Sequence, residues 1–350
     1  MNLIQAIDDK FASSQVSTQR KHIGISSIGN ACDRALWYAF NHCLTVQHDG
    51  RLLRLFGFGH QIENEMADLL RSVGWKVLTE NPRTKQQWAV QDPDNAYFSG
   101  SLDGVAVSPA DVVFDGVSPS DAHVIDFKTS NDKSFHTFVK KGLIEWNYKY
   151  YCQLQCYMGF SHQLGRPINK GMLFAINKNN HELHYEIVEF SQAVFDACRS
   201  KAEMIVISEN IPAKASEDAK SMICRFCDYK DICHNGRIAE PSCRNCGYCK
   251  KSLKDGDSCE KGYSLNPCED HLYNPALLPS SPTGYHVEIS VMEYEAYANG
   301  NSRHKDKFDD KPLLTSKEIY DIFNCDDEHV IKDLIKFVKQ FDASVKEVSW

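Results

Sequence analysis

Two acidic motifs constrain this chain more than any other feature: GSLDG at residues 100–104 and IDFKT at residues 125–129. The flanking glycines predict a tight turn at Asp103. In the second motif, Asp126 and Lys128 share one face of a strand, because strand side chains alternate with a period of two. The other residues of VIDF are apolar and predict a buried strand, where charged residues need a partner or a function. We therefore expect a buried strand that carries these charges to one point.

Two carboxylates and a lysine at one point suit metal-dependent hydrolysis of a phosphodiester. Carboxylate oxygens are the ligands that Mg²⁺ and Mn²⁺ prefer. The bound metal polarises the phosphate and generates a hydroxide near neutral pH, and a lysine offsets the charge that develops on the phosphate. A D-x-K triplet alone also occurs on edge strands with a solvated charged face, so the prediction depends on further residues.

Two helix-like segments add polar residues at helical spacing. His60 and Glu63 lie three residues apart before the acidic motifs, and Gln153 and Tyr157 lie four residues apart after them. Residues at these spacings share one face of a helix. The chain therefore presents a histidine, two aspartates, a lysine and a Gln-x-x-x-Tyr pair in that order.

This order resembles the RecB-like branch of the PD-(D/E)XK nuclease superfamily, with its AddB-type and CRISPR-associated exonucleases, over about residues 20–235. By this resemblance the ligands of the catalytic metals would be His60, Asp103, Asp126 and the backbone carbonyl of Phe127. Lys128 would activate the water, and Gln153 and Tyr157 would organise the site and the DNA. Glu63 is either an additional ligand or a solvated helix residue.

Fourteen cysteines are many for a chain without an export signal, and clustered cysteines in a reducing compartment indicate metal binding. The segment CRFCDYKDIC contains Cys224, Cys227 and Cys233, and Cys32 is the natural fourth ligand. Four cysteines suit either zinc or an iron–sulfur cluster. The split arrangement resembles the iron–sulfur staple of AddB-type and CRISPR-associated exonucleases, which implies a structural 4Fe–4S cluster.

A second group follows in a segment with few apolar residues: Cys243, Cys246, Cys249, Cys259, Cys268 and His271. A small loop-rich segment of this kind usually needs a metal to fold, and its Cys and His spacings favour tetrahedral zinc. The favoured ligands are Cys243, Cys246, Cys259 and His271, with Cys268 as the rival of His271. The arrangement resembles a zinc-ribbon-like module found after this nuclease core in phage-encoded proteins.

Helical and strand patterns alternate as α–β–β–β–α–β–β–α, which predicts an α/β fold with a mixed sheet flanked by helices, as in restriction endonucleases. The sequence predicts helices at 33–40, about 56–73 and 326–341, and a β-hairpin around KNNH. We expect three segments: a nuclease core with the iron–sulfur staple at 1–240, a zinc-ribbon-like module at 241–279 and a small α+β region at 280–350.

The net charge of −8 is unfavourable for contacts with phosphate, so a DNA groove requires a local basic patch. Four lysines before the Gln–Tyr pair either line such a groove or form a solvated helix face: Lys133, Lys140, Lys141 and Lys149. No apolar run approaches the ~18–20 residues of a membrane span. We expect a cytoplasmic protein, in the host cytoplasm if it is phage-encoded, without a membrane partner.

These patterns together predict a Mg²⁺- or Mn²⁺-dependent DNA exonuclease that acts on single strands or duplex ends in phage recombination, repair or replication. Its partners would be DNA and recombination or replication proteins. One alternative is a structure- or sequence-specific endonuclease of the same fold. Another is a non-catalytic DNA-binding subunit, and the complete set of histidine, aspartates and lysine argues against it.

Overall fold

The computed structural model describes residues 2–15, 19–264, 266–268, 271, 274 and 277, and the backbone of strands 285–288 and 344–347. The chain divides into two compact units, Met1–Asn30 with Gln47–Met204 and Ala31–Val46 with Ile205–Trp350. The second unit includes Ala31–Val46 and resumes at Ile205, whereas the predicted nuclease core extends to residue 240. The helix predicted at 326–341 lies outside the described residues.

The strands of the described residues are β1 Ile23–Gly24, β2 Lys76–Leu78, β3 Ala89–Asp92, β4 Asn95–Ser101, β5 Gly104–Val107, β6 Ala122–Ser130, β7 Lys170–Asn177, β8 Leu183–Glu189, β9 Lys250–Ser252, β10 Gly256–Ser258, β11 Tyr285–Glu288 and β12 Ser344–Glu347. The α-helices are α1 Leu3–Ser13, α2 Asp33–Phe40, α3 Gly50–Ser72, α4 Asp132–Trp146, α5 Tyr148–Gly159, α6 Gln192–Ile207, α7 Met222–Arg225 and α8 Lys230–His234.

The first unit is built on a five-stranded sheet in the order β2–β5–β6–β7–β8. Strands β6 and β7 pair in parallel and the other neighbours pair antiparallel, so the predicted mixed sheet is confirmed. Strand β6 is central and mostly buried, as its apolar residues predict. A smaller sheet, β1–β4–β3, leads through β4 into the turn that holds Asp103.

Helix α3 crosses from an exposed end to the buried core of the first unit. Its C-terminal half packs on the five-stranded sheet through apolar side chains three or four residues apart: Ile62, Met66, Ala67 and Leu70. The helix begins well before the predicted Phe56, after the N-cap Asp49, whose carboxylate accepts the Leu52 N–H at 2.6 Å. Gly50 fits there because a Cβ would lie 2.2 Å from the Asp8 carbonyl oxygen in α1.

Helices α4 and α5 form the crossover that joins the parallel strands β6 and β7. Helix α4 kinks at Gly142, which has a φ of 77°. Beyond the kink, Glu186 in β8 accepts the Leu143 N–H at 2.7 Å and so caps the last turn of the helix. Helix α5 then turns most of its residues, including Gln153 and Tyr157, into the core.

The second unit contains α2, which spans its predicted range, the short helices α7 and α8, and the hairpin β9–β10. Arg244 is buried and pairs with the buried Asp257 at 2.9 Å. Its guanidinium lies 4.5 Å from the centre of the Phe40 ring and donates to the Phe40 carbonyl at 3.1 Å. The cysteine-rich segment therefore packs on the end of α2. Within the described residues, no helix combines the length and apolar character needed to cross a bilayer.

Candidate active site and cysteine clusters

Asp103 lies in the predicted turn, between β4 and β5. Its Oδ2 accepts the backbone N–H of Phe127 at 2.8 Å, which ties the turn to β6. Gly100 is required nearby, because a Cβ would lie 2.8 Å from the Ile25 side chain and 3.3 Å from the Tyr157 ring. Gly100 therefore allows the chain before the turn to pack closely beside helix α5.

Asp126 and Lys128 share one face of β6, as their spacing predicts. Asp126 is fully buried, and its Oδ2 lies 2.5 Å from the Lys128 Nζ. The same ammonium donates to the Phe127 carbonyl at 3.2 Å, so the predicted carbonyl ligand is at this point too. The two aspartates are linked through the backbone of Phe127 into one cluster.

Helix α5 closes the site from the other side. The Gln153 amide donates to Asp126 Oδ1 at 2.8 Å and lies 3.2 Å from the Tyr157 hydroxyl. That hydroxyl donates to the Ser101 carbonyl at 2.5 Å. The Gln153 amide oxygen is a buried acceptor that finds no hydrogen-bond partner among the described residues. The Gln-x-x-x-Tyr pair thus fixes Asp126 and the turn before Asp103.

One further residue of α5, Tyr150, was missed from the sequence, and Lys149 was predicted only as a possible lining residue of a DNA groove. The Lys128 Nζ lies 4.9 Å from the centre of the Tyr150 ring, and burial raises the pKa of Tyr150. Burial and the charge of Lys128 lower the pKa of Lys149. The helical spacing that relates Gln153 to Tyr157 finds Tyr150 when it is extended back by one turn. The other three lysines proposed for a groove lie exposed on α4: Lys133, Lys140 and Lys141.

The two predicted residues of α3 take different positions. Glu63 is half-buried, and its pKa is raised first by burial and then by the charge of Asp103. The His60 Nδ1 lies 3.3 Å from a Glu63 oxygen, but its side chain is 79% exposed. Glu63 therefore belongs to the carboxylate cluster. In the described part of the structure, His60 contacts Glu63 rather than either aspartate.

The cluster holds more negative than positive charge. Burial raises the pKa of Asp126 to about 7, the charges of Asp103 and Glu63 add to this, and Lys128 opposes it. Burial alone would lower the pKa of Lys128, but the charges of Asp126 and Asp103 raise it instead. One lysine facing three carboxylates stays protonated. It is therefore suited to stabilise negative charge and unsuited to accept a proton.

This donor set fits a hard divalent cation. All its ligands are oxygens, which Mg²⁺ and Mn²⁺ prefer, and the raised pKa values show carboxylates that a cation would relieve. No three His, Cys, Asp or Glu side chains of the described residues already stand in metal-binding geometry. The Lys128 Nζ lies 2.5 Å from Asp126 Oδ2, so a cation that binds through this oxygen would have to displace the ammonium.

A scan against protein families matches residues 46–234 to the PD-(D/E)XK nuclease superfamily. The chain belongs to the PD-(D/E)XK nuclease superfamily. The match contains every proposed residue of the catalytic cluster and ends beside the first group of cysteines. A search among curated proteins gave no match.

Solved structures similar to this PD-(D/E)XK protein include an alkaline exonuclease from Laribacter hongkongensis, at 13% identity and a TM-score of 0.35 over 56% of this chain and 90% of that chain. The same exonuclease in complex with dAMP aligns with a TM-score of 0.34. The protein SSO0001 aligns at 15% identity and a TM-score of 0.39, over 67% of this chain and 96% of that chain. A phage related exonuclease from Haemophilus somnus 129PT aligns at 11% identity and a TM-score of 0.32, over 53% of this chain and 91% of that chain.

The first group of cysteines converges on one pocket of the second unit. The thiols that line it are Cys32, Cys224, Cys227 and Cys233. Burial first, and then the charge of Cys32 among others, raises the pKa of Cys227 and of Cys233. Cys32 is the N-cap residue of α2, and the fold thus brings it to three cysteines that lie far away in the sequence.

The second group is arranged around Cys243. Burial raises the pKa of Cys243, and the charges of Cys268 and Cys259 add to this rise, so these three thiols are neighbours. Burial raises the pKa of Cys249 to about 12. Cys246 follows one turn after Cys243, at the end of a short 3₁₀ helix.

His271 is held through one ring nitrogen. Its Nε2 lies 2.9 Å from the Ser242 carbonyl and 3.0 Å from the Asn245 amide oxygen. Burial lowers the pKa of His271 to about 4, so the ring is neutral, which is the form that binds a metal. An imidazole that is oriented through one nitrogen can bind a metal through the other, so His271 stays a candidate ligand beside Cys268.

Proposed function

We propose that the protein is a Mg²⁺- or Mn²⁺-dependent DNA exonuclease that acts on single strands or duplex ends. The observation that carries this proposal is the convergence of Glu63, Asp103, Asp126 and Lys128 at one end of the central sheet. Membership of a nuclease superfamily supports phosphodiester hydrolysis. Phage recombination, repair or replication would be its setting, with proteins of these processes as partners.

Each residue of the site would have a distinct task. Asp103 and Asp126 would hold the metal, with Glu63 or the exposed His60 and the Phe127 carbonyl completing its coordination. The bound metal would polarise the phosphate and lower the pKa of a water molecule. Protonated Lys128 would stabilise the charge that builds on the phosphate. Gln153 would keep Asp126 oriented through their 2.8 Å hydrogen bond.

Linear and circular single-stranded DNA of equal length test this function. In Mg²⁺, the exonuclease should degrade the linear strand and leave the circle intact, because it needs an end. Lys128→Ala should lower the rate on the linear strand by ~10²-fold while metal binding persists, because only charge stabilisation is lost. Cleavage of the circle would establish the endonuclease alternative. DNA binding without cleavage of either substrate, or of a linear duplex in the same buffer, would indicate a non-catalytic subunit.

The four cysteines of the first group would hold a 4Fe–4S cluster. All four thiols line one pocket of the second unit. Four cysteines suit either zinc or an iron–sulfur cluster. The resemblance of this split arrangement to the iron–sulfur staple of AddB-type and CRISPR-associated exonucleases favours the cluster. Its role would be to hold Cys32 and α2 to the C-terminal cysteines.

The second group would bind one zinc ion through Cys243, Cys246, Cys259 and His271, with Cys268 as the alternative fourth ligand. Metal binding would draw these thiols together as the segment folds. Metal analysis of anaerobically purified protein separates the two sites. Cys32→Ala should lose iron and retain zinc, whereas Cys259→Ala should lose zinc and retain iron. Iron content unchanged in Cys32→Ala would contradict the iron–sulfur site.

A further inference from the structure

The inner face of α3 continues past the carboxylate cluster. From Ile62 onward, this face packs on the sheet. In the other direction, the face continues with Gly59 and Phe56. At 3.6 residues per turn, Phe56, Gly59 and Glu63 lie within about 60° of one another. The face of α3 that packs on the core therefore extends beyond the proposed active site. There it presents the backbone of Gly59 and the ring of Phe56.

The Phe56 ring is both exposed and held in place. It is 45% exposed and packs edge-to-face on His48, with ring centres 5.4 Å apart. The His48 N–H donates to the Gln15 side chain at 2.9 Å, which anchors that support. An accessible aromatic ring in a fixed position is what a nucleobase needs for stacking.

Gly59 has no explanation in the packing of the protein itself. Among the described residues, a Cβ at this position would meet nothing within 4 Å, and its φ is not positive. Glycine is a poor helix former, so alanine would suit the helix better. The missing side chain does leave open backbone between Phe56 and Glu63, where another molecule can approach closely.

We propose that Phe56 stacks on a base of the substrate strand near the scissile phosphate, and that Gly59 leaves room for that strand. Phe56 and Glu63 are about 10 Å apart along the helix axis, which corresponds to about three stacked nucleotides at ~3.4 Å each. Stacking is useful here because a net charge of −8 limits attraction to phosphate. The inference rests on the proposed nuclease function, since it places the reacting phosphate at Glu63, Asp103 and Asp126.

Single abasic sites, moved one nucleotide at a time along a linear strand, test the stacking. For the wild type, an abasic site at one position within about three nucleotides of the scissile phosphate should lower kcat/KM by about tenfold. Phe56→Ala should show that loss on intact DNA and no further loss at the abasic position. The matched control is Phe58→Ala, since Phe58 is 44% exposed but points to the opposite side of α3. A Phe56→Ala enzyme that responds to the abasic site like the wild type would overturn the inference.

Gly59→Ala and Gly57→Ala form a second matched pair, because a Cβ at either position meets nothing within 4 Å. Both should raise the urea midpoint of unfolding, but only Gly59→Ala should lower kcat/KM. Equal activity of the two variants would contradict the role of Gly59. If the wild type cleaves no DNA, the proposed function fails. In that case, the same abasic strands are tested for binding by fluorescence anisotropy in Ca²⁺. If an abasic site at one position weakens binding to the wild type but not to Phe56→Ala, the stacking is supported. If no abasic position weakens binding in this way, the stacking is refuted.

Discussion

At the scale of single residues, the proposed active site holds more negative than positive charge. Glu63, Asp103 and Asp126 face one protonated lysine, Lys128, in a buried setting. Such an arrangement costs stability unless a cation joins it, because like charges repel strongly where water is excluded. We therefore propose that this unfavourable charge is what draws a divalent ion to the site.

This imbalance predicts an unusual pH dependence in metal-free protein. The pKa of Asp126 is raised from 3.8 to about 7, mainly by burial, so the folded protein binds this proton more tightly than the unfolded chain does. Stability should therefore fall as the pH rises from about 4 to 7. Asp126→Asn should lack this part of the decline, because its amide does not ionise.

Urea midpoints in EDTA across this pH range measure the effect. Mg²⁺ should restore the stability of the wild type at pH 7 and have little effect on Asp126→Asn. If the wild type and the variant lose stability in parallel as the pH rises, Asp126 does not carry the raised pKa.

The sequence reveals the residues whose chemistry is tied to a local motif. Asp103, Asp126 and Lys128 stand out because charge in an apolar strand or beside a glycine turn is unusual. Tyr150 was missed because a tyrosine on a helix is ordinarily a core residue, and only the position of Lys128 reveals its role. The neutral, backbone-bound ring of His271 was equally invisible, because it depends on contacts with Ser242 and Asn245.

At the scale of elements, local periodicity predicts well where packing does not intervene. Helix α2 matches its predicted range, and the hairpin β7–β8 lies where the turn KNNH predicts it. The start of α3 was missed because Asp49 and Gly50 have the appearance of a turn, whereas the glycine serves close packing against α1. The kink in α4 depends on Glu186, which arrives from a strand much later in the chain.

Glu186 provides a test of this tertiary cap. Glu186→Ala should lower the free energy of unfolding by about 1 kcal/mol, the usual effect of losing a capping acceptor. Glu186→Gln should cost less, because its amide oxygen can still accept the Leu143 N–H. The exposed Glu182→Ala is the control and should change stability by less than about 0.5 kcal/mol. Equal urea midpoints for the two alanine variants would exclude the cap.

At the scale of the whole molecule, the chain forms two units that the sequence does not delimit. Residues 31–46 interrupt the first unit and belong to the second. Only the cysteines indicated this grouping, since Cys32 was the missing partner of Cys224, Cys227 and Cys233. Contacts over such separations depend on tertiary folding and leave no local pattern. The buried pair Arg244–Asp257 likewise lies in a segment where the sequence predicted only a metal-dependent module.

That pair predicts a large effect in the second unit. Arg244→Ala should cost about 3–5 kcal/mol of unfolding free energy, because it leaves Asp257 buried without a counter-charge. The apolar double variant Arg244→Met with Asp257→Leu should recover much of this loss. The exposed pair Lys250–Glu260, at 3.1 Å, is the matched control, and Lys250→Ala should cost about 0–1 kcal/mol.

Limited proteolysis and urea unfolding of the cysteine-rich segment report on these variants. If Arg244→Ala is no less stable than Lys250→Ala, the buried pair is not what holds this segment to the end of α2.

The most direct test of the active site is cleavage of end-labelled linear single-stranded DNA in Mg²⁺ by the wild type, Asp103→Asn and Asp126→Asn, with folding checked by circular dichroism. The wild type should release nucleotides only when metal is present. Each folded variant should be at least ~10²-fold slower, because it lacks a charged ligand of the cation. Wild-type cleavage by a folded Asp126→Asn protein would contradict a metal-dependent nuclease site at this position.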